Sequence, residues 1–442
     1  MLKRKMTDQL LAWKSNRRQA HEPQALLVKG ARQVGKTYTI TQFGENAYAS
    51  FISLNFIEHP ELKSVFEGPL TPQEIKERIS LFNSGASFVP GDTLLFLDEI
   101  QDCPKARTAL KFLAQDPDID VIASGSLLGL NYMNDSSIPV GYERQIEMFG
   151  LDFEEFLWAL GLGDTPFDAF RRHLATLEPF NQAILEKYLR HFRQYIAVGG
   201  MPAVVSVYVD SKNYGKTYEV QKQLLNTYLD DIAKFAEANV RNKARECYLS
   251  VPRQLAKENT KFRYGLVEKR GTARKFETAL DWLRDANLVR YCYAVKTPEF
   301  PLKAYEDESK FRLYLNDTGL LCAMFGFEMM AALIEDTLKG PMKGGIYENA
   351  IACSLVKAGL SLHYWMNKGA TQEIEFLFDK NAGVVPVEVK AGRGSTASLD
   401  AFLERDGVEA GYKLHAGNVG KVGKKFSLPY FMSSLVGEVS TR

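Results

Sequence analysis

Over the first 150 residues, short apolar runs alternate with longer amphipathic stretches. The runs are Ala25–Val28, Thr93–Leu97, Ile119–Ala123 and Ile146–Leu151, with one further strand between the first two, and that from Thr93 is apolar on both faces. That pattern predicts buried parallel strands joined by helical crossovers, an α/β sheet. Asp152-Phe-Glu-Glu155 starts a helix with a capping box, and Gly161-Leu-Gly-Asp-Thr-Pro166 breaks the pattern. From Phe167 to about Phe235 the period is helical, interrupted at Val198-Gly-Gly-Met-Pro202.

Two further helices (Arg245–Glu258 and Thr272–Ala286) precede strands at Leu288–Val295 and Phe311–Leu315. Two helices followed by a hairpin describe a winged helix, whose recognition helix would begin with Thr272, Arg274, Lys275 and Glu277. Lys339-Gly-Pro-Met-Lys-Gly-Gly345 is expected to be a glycine-rich link. Beyond it come a helix from about Ile346, strands at Leu362–Trp365, Glu373–Phe378 and Val384–Lys390, a helix (Ser398–Leu403) and a strand (Gly411–Leu414), an α-β-β-β-α-β order. The expected domains are therefore 1–160, 161–235, 236–338 and 339–442.

Residues 30–37 read G-A-R-Q-V-G-K-T directly after the first apolar run, which matches the phosphate-binding loop G-x-x-x-x-G-K-[ST] at every fixed position. Gly30 and Gly35 let the backbone N–H groups of Ala31, Arg32, Gln33, Val34 and their neighbours turn inward onto phosphates, and Tyr38 follows on the first helical turn. Lys36 would reach the β- and γ-phosphates, and the Thr37 hydroxyl would ligate magnesium. Asp98-Glu99 closes the apolar run from Thr93, at the sheet edge where open α/β folds bind ligands. Asp98 fits the position that holds the magnesium, and Glu99 suits a general base that polarises the attacking water. The cofactors expected are ATP and Mg2+.

The last module carries a second set. Glu388-Val-Lys390 puts two charged side chains on one face of a strand, and Glu375 lies within reach if the preceding strand pairs with it as a hairpin. Glu375 and Glu388 as magnesium ligands, Lys390 to orient or deprotonate water and Glu348 from the helix as a third carboxylate would suit phosphodiester hydrolysis.

Bulk composition adds little except in one region. The 442 residues are 45% hydrophobic and 25% charged, ordinary for globular domains, and no apolar stretch is long enough to span a membrane. The N-terminus lacks the apolar core of a signal peptide. The five cysteines form no CxxC pair and are expected to be reduced, as in a cytoplasmic protein. Net charge is +1, yet Arg241–Arg284 holds twelve Lys or Arg against five Asp or Glu, which suggests a surface that faces a polyanion.

The acidic pair after the strand resembles the additional-strand class of ATPases, which includes AAA+ proteins. The chain as a whole resembles a prokaryotic AAA+ family in which a P-loop ATPase is joined to a C-terminal domain of unknown function similar to PD-(D/E)xK nucleases. The matching stretches are Lys29–Thr37, Phe96–Gln101, Ser124-Gly-Ser126, Gly199–Pro202, Leu315–Leu320, Tyr347-Glu348 and Glu373–Lys390. This resemblance implies a helical lid after the sheet, Ser124 or Ser126 as a γ-phosphate sensor, and Arg144 as an arginine that contacts a phosphate in the same or a neighbouring subunit. Hydrolysis would then depend on assembly, so a homo-oligomer and a nucleic acid, DNA first, are the expected partners. Glu375 stands where the nuclease pattern more often has Asp. Two readings stay open: an ATPase whose C-terminal domain cuts nucleic acid, and a nucleotide-dependent switch whose nuclease-like domain only binds nucleic acid or a protein.

Overall fold

A computed structural model describes residues 2–17, 24–83, 85–126, 141–258, 260–369, 371–390 and 395–438. The chain divides into two compact units, Met1–Gly150 with Asp285–Asn287, and Leu151–Arg284 with Leu288–Arg442.

The first unit is a sheet of five parallel strands, β1 (Ala25–Gly30), β2 (Ser50–Asn55), β3 (Thr93–Asp98), β4 (Ile119–Ser126) and β5 (Glu143–Glu147), in the order β2-β3-β4-β1-β5. Every residue of β3 is buried, as its uninterrupted apolar run requires. β4 stands between β1 and β3, the inserted strand that the acidic pair implied. Helices Lys36–Ala47, Pro72–Phe82 and Pro104–Leu113 form connections, the second capped by Thr71 and the last two with proline in the first turn. An additional helix, Lys5–Arg17, buries Met6, Leu10 and Trp13, one apolar stripe. The strand expected at Ile146–Leu151 lies earlier, because backbone pairing with β1 runs from Ala25 opposite Glu143 to Lys29 opposite Glu147.

The second unit begins with helices Phe153–Ala159, Thr165–Thr176, Gln182–Val198, Pro202–Ser211, Tyr214–Phe235 and Ala238–Leu255. The capping box at Asp152 and Glu155 is formed. Helix Gln182–Val198 stops at Gly199, whose φ is +80°. Here two distant sequence stretches meet. The Gly200 N–H donates to Asp317 Oδ2 at 2.7 Å, and a Cβ on Gly199 would lie 2.2 Å from Asp317 Oδ1.

Helices Tyr264–Val267 and Ala273–Asp285 then lead into β6 (Val289–Val295) and β7 (Glu306–Leu315), an antiparallel hairpin. After helices Thr318–Phe325, Phe327–Ile334 and Gly340–Lys357 come β8 (His363–Met366), β9 (Glu373–Lys380), β10 (Gly383–Lys390), the helix Ala397–Leu403, β11 (Gly411–His415), β12 (Gly420–Val422) and β13 (Lys425–Pro429). All eight strands share one sheet, in the order β12-β13-β11-β10-β9-β8-β6-β7. Through a parallel pairing of β6 with β8, the hairpin and the C-terminal strands share that one sheet. Among the described residues no helix is long and apolar enough to cross a membrane, and all five cysteines are free and buried.

The expected glycine-rich link is instead the start of helix Gly340–Lys357. Glycine there serves close packing, since a Cβ on Gly345 would meet the Leu255 carbonyl oxygen at 2.0 Å, whereas a Cβ on Gly344 would point into open space. Gly344→Ala should therefore raise unfolding free energy by about 0.5–1 kcal/mol through helix propensity, and Gly345→Ala should lower it. Urea titration distinguishes this from a flexible link, in which neither change would matter.

Candidate functional site

The loop after β1 and the ends of its neighbouring strands converge on one carboxylate. Asp98 is 1% exposed. Its Oδ2 accepts from the Thr37 hydroxyl at 2.8 Å and from Asn55 Nδ2 at 3.2 Å. Its Oδ1 accepts from the Ser124 hydroxyl and, at 3.1 Å, from the Glu99 backbone N–H. Burial pushes the Asp98 carboxyl above its usual range, the hydroxyls of Ser124 and Thr37 hold it down, and the Glu99 charge raises it. Parallel register explains the convergence: Asn55 pairs with Asp98 across β2 and β3, and Ser124 sits on β4 beside β3. Thr37 and Asp98 fit a magnesium site in chemistry, a hydroxyl and a carboxylate held side by side.

Lys36 is buried, and its ammonium donates to the carbonyls of Gly30 at 3.1 Å and Ala31 at 2.9 Å. Burial pulls its pKa down, the nearby Glu99 and Asp98 charges oppose that, and Arg32 adds to the lowering. Gly35 and Gln33 both adopt the left-handed region (φ +93° and +63°), Val34 is buried, and Tyr38 is 53% exposed on the first helical turn. Gly30 has no room for a side chain, because a Cβ would meet the Met148 carbonyl oxygen at 2.3 Å.

Glu99 is also left-handed (φ +53°), a strained placement for a residue with a side chain. Gln101 Nε2 donates to its Oε2 at 2.5 Å. Gln101 and Asn55 orient this edge, yet the sequence reading gave neither a role. Their signal was there: each lies within a few residues of a strand's C-terminal end. Ser126 pairs with Gly30 in register and is buried, so both candidate sensors lie along β4 at the loop.

Arg144 is placed elsewhere. It is exposed on edge strand β5 opposite Leu26, four residues before Gly30 along the parallel strands, about 13 Å at ~3.3 Å per residue. That is too far for contact with a phosphate held by its own loop. The same-subunit role is lost because the strand starts before Arg144 rather than after it.

The second set is partly assembled. β9 and β10 form the expected hairpin, with Phe376 opposite Val387. Lys390 Nζ lies 2.7 Å from Glu388 Oε1 and 3.5 Å from Glu375 Oε1, and the Oε2 of each glutamate is buried with no hydrogen-bond partner. Burial raises the Glu375 carboxyl to about 7, against the pull of Lys390. Glu388 is raised as well, by burial. For Lys390 burial works downward, but the two carboxylates prevail and raise it. In register beside them on β11 stand Lys413 and His415, which the sequence reading omitted.

Glu348 does not join this set. Its Oε1 accepts from Arg312 at 2.8 Å, Thr260 at 3.1 Å and the Tyr314 hydroxyl. Arg312, 1% exposed, also pairs with Glu373 and lies with its guanidinium carbon 4.4 Å from the centroid of the Tyr364 ring. A buried guanidinium needs carboxylates, and Glu348 supplies one. Among the described residues no group of three His, Cys, Asp or Glu is placed to hold a metal ion. Glu375 and Glu388, each with an unpartnered oxygen, fit a two-carboxylate cation site; Glu348 does not fit as a third ligand.

The comparisons with known proteins bear on the domain that holds the first site. A family model described as an AAA domain matches residues 22–157. The chain carries a P-loop ATPase domain of the AAA type. Two domains of unknown function, DUF8612 and DUF4143, match residues 189–331 and 343–426. A search of curated proteins finds no match. Similar solved structures include the Walker-type ATPase PABY2304 of Pyrococcus abyssi, at 14% identity and a TM-score of 0.43, covering 74% of this chain and 96% of that one. The Orc1 protein of Aeropyrum pernix, solved in complex with DNA, has 12% identity and a TM-score of 0.32, covering 75% of this chain and 94% of its own.

The raised Glu375 carboxyl carries a sign for stability. Its folded pKa of about 7 exceeds the ordinary value of 4.5, so ionising it costs the fold progressively between those values. In metal-free buffer Glu375→Gln should gain a few degrees in Tm relative to wild type at about pH 8 compared with about pH 5. An equal difference at both pH values would show that the carboxyl titrates normally.

Proposed function

We propose that this protein is an ATP-hydrolysing switch that acts on nucleic acid. The observation that carries the ATP half is the shared use of Asp98 by Thr37, Ser124 and Asn55 at the mouth of the phosphate loop. Phosphates would draw the Lys36 ammonium from the Gly30 and Ala31 carbonyls, and the loop N–H groups would receive them. Thr37 and Asp98 would hold a magnesium ion, which when bound neutralises phosphate charge. Glu99, held by Gln101, would accept the proton of the attacking water. Lys36→Ala should abolish ATP turnover, and Glu99→Gln should bind ATP while hydrolysing it roughly 100-fold or more slowly. Phosphate release and nucleotide binding, measured separately, check both, and unchanged turnover in Glu99→Gln would overturn its role. Arg144 keeps only the role of acting on a neighbouring copy.

The nucleic-acid half rests on exposed cations. Helices Ala238–Leu255, Tyr264–Val267 and Ala273–Asp285 followed by the β6–β7 hairpin have the order of a winged helix. Lys269, Arg270, Arg274 and Lys275 are exposed at the entry of the third helix together with Thr272 and Glu277, and Lys275 is paired with Glu268. Arg270→Ala with Arg274→Ala should weaken DNA binding at every sequence and reduce the salt slope by about 2. Fluorescence anisotropy at several salt concentrations reads this, and an unchanged slope would remove the surface from consideration.

A second reading, magnesium-dependent cleavage by the C-terminal strands, is favoured by the unpartnered oxygens of Glu375 and Glu388 beside Lys390. Incubation with plasmid and magnesium should then give nicking that Lys390→Ala and Glu388→Gln both suppress. Cutting by Lys390→Ala at the wild-type rate, or no cutting at all, leaves a binding domain.

A further inference from the structure

The peptide joining Val34 to Gly35 is held from outside the phosphate loop. Arg4, just ahead of helix Lys5–Arg17 and 7% exposed, donates from NH1 to the Val34 carbonyl at 2.9 Å and from NH2 to the Phe149 carbonyl at 2.6 Å. The two acceptors are the loop itself and the chain just after β5. Arg4 lies outside the stretch matched by the AAA family model, which begins at residue 22.

A planar trans peptide ties the direction of a carbonyl to that of the N–H across the same bond, because the two point opposite ways. A loop that cradles phosphates must turn several N–H groups inward, and so must turn the matching carbonyls outward, where each needs a donor. The Val34 carbonyl belongs to the peptide whose N–H is that of Gly35, and Gly35 sits at φ +93°. Fixing the Val34 oxygen on the Arg4 guanidinium therefore aims the Gly35 N–H at the other side, into the cradle.

The far end of the same helix is fastened as well. Arg17 NH1 is 2.7 Å from Asp120 Oδ1 at the start of β4, and Lys14 Nζ is 3.1 Å from Asp92 Oδ1 just before β3. The helix is thus tied to the opposite end of the strands, and its N-terminal arginine is presented at the loop.

We propose that Arg4 is a positioning residue of the ATP site, one that sets the direction of the Gly35 N–H toward the β-phosphate. This rests on the ATP-binding reading given above. The β-phosphate is present before and after transfer, so the contact stabilises bound nucleotide and transition state alike, which places its effect in KM rather than kcat.

The test compares wild type, Arg4→Ala and Arg4→Lys for ATP and ADP affinity, steady-state kinetics and Tm. Arg4→Ala should weaken ATP and ADP by the same factor, about tenfold, and raise KM alike while kcat stays within about twofold. Arg4→Lys should recover part of the affinity, and millimolar guanidinium, below denaturing levels, should restore binding to Arg4→Ala. Wild-type affinity in a folded Arg4→Ala protein would overturn the proposal. So would a fall in kcat and Tm together that neither lysine nor guanidinium relieves, since that marks a purely structural arginine. Absence of nucleotide binding in wild type would instead overturn the ATP reading itself, and the proposal with it.

Discussion

A parallel sheet brings the C-terminal ends of its strands to one edge, and in the first unit that edge is organised by a single carboxylate. The partners described for Asp98 include the helix after β1, the end of β2 and the end of β4, besides its own strand. All four donors are neutral. They satisfy the oxygens without cancelling the charge, and burial then leaves the carboxyl raised. An edge of this kind attracts a cation more strongly than a solvated aspartate would. In the proposed function the loop opposite it, with its buried lysine, would take the anion, so the two halves of a metal–nucleotide complex would each be met by a different part of the same edge.

In the second unit the decisive charge is positive. Arg312 on β7 is buried between Glu348 from helix Gly340–Lys357 and Glu373 on β9, with Tyr364 of β8 against its guanidinium. Removing one partner from such a cluster would leave an uncompensated buried charge, a loss of several kcal/mol. That arginine explains why Glu348 is conspicuous in the sequence without being available to a cation. It also sets two pairs of glutamates apart: Glu348 and Glu373, which hold the buried arginine, and Glu375 and Glu388, each of which meets Lys390 through Oε1 and keeps a buried Oε2 without a donor.

What could be read from sequence divides along the same line. The phosphate loop, the acidic strand end and the charged face of β10 follow from local spacing, whereas the inserted strand is implied by the resemblance to additional-strand ATPases. Three features escaped because their causes are non-local. Glu348 depends on Arg312, a residue distant along the chain, and no periodicity announces an ion pair. Arg4 acts on Val34 through a backbone carbonyl, a partner with no side-chain signature. Gly340–Gly345 has the composition of a link, but it is helical where helix packing demands the missing Cβ at Gly345. The position of Arg144 differs for another reason: the strand begins three residues earlier than its apolar run suggests, so Arg144 lies within β5 rather than ahead of it.

The pairing of β6 with β8 has a consequence for how the chain can be divided. The third family match begins at residue 343, beyond both strands of the hairpin, so a fragment cut there would carry β8 without its neighbour. It would also lack Arg312, leaving the buried Glu348 and the half-buried Glu373 without their shared cation. An unprotected sheet border of that kind invites pairing between copies. Strands β8 to β13 are a recognisable sequence module whose sheet border is completed by the hairpin some fifty residues ahead of them.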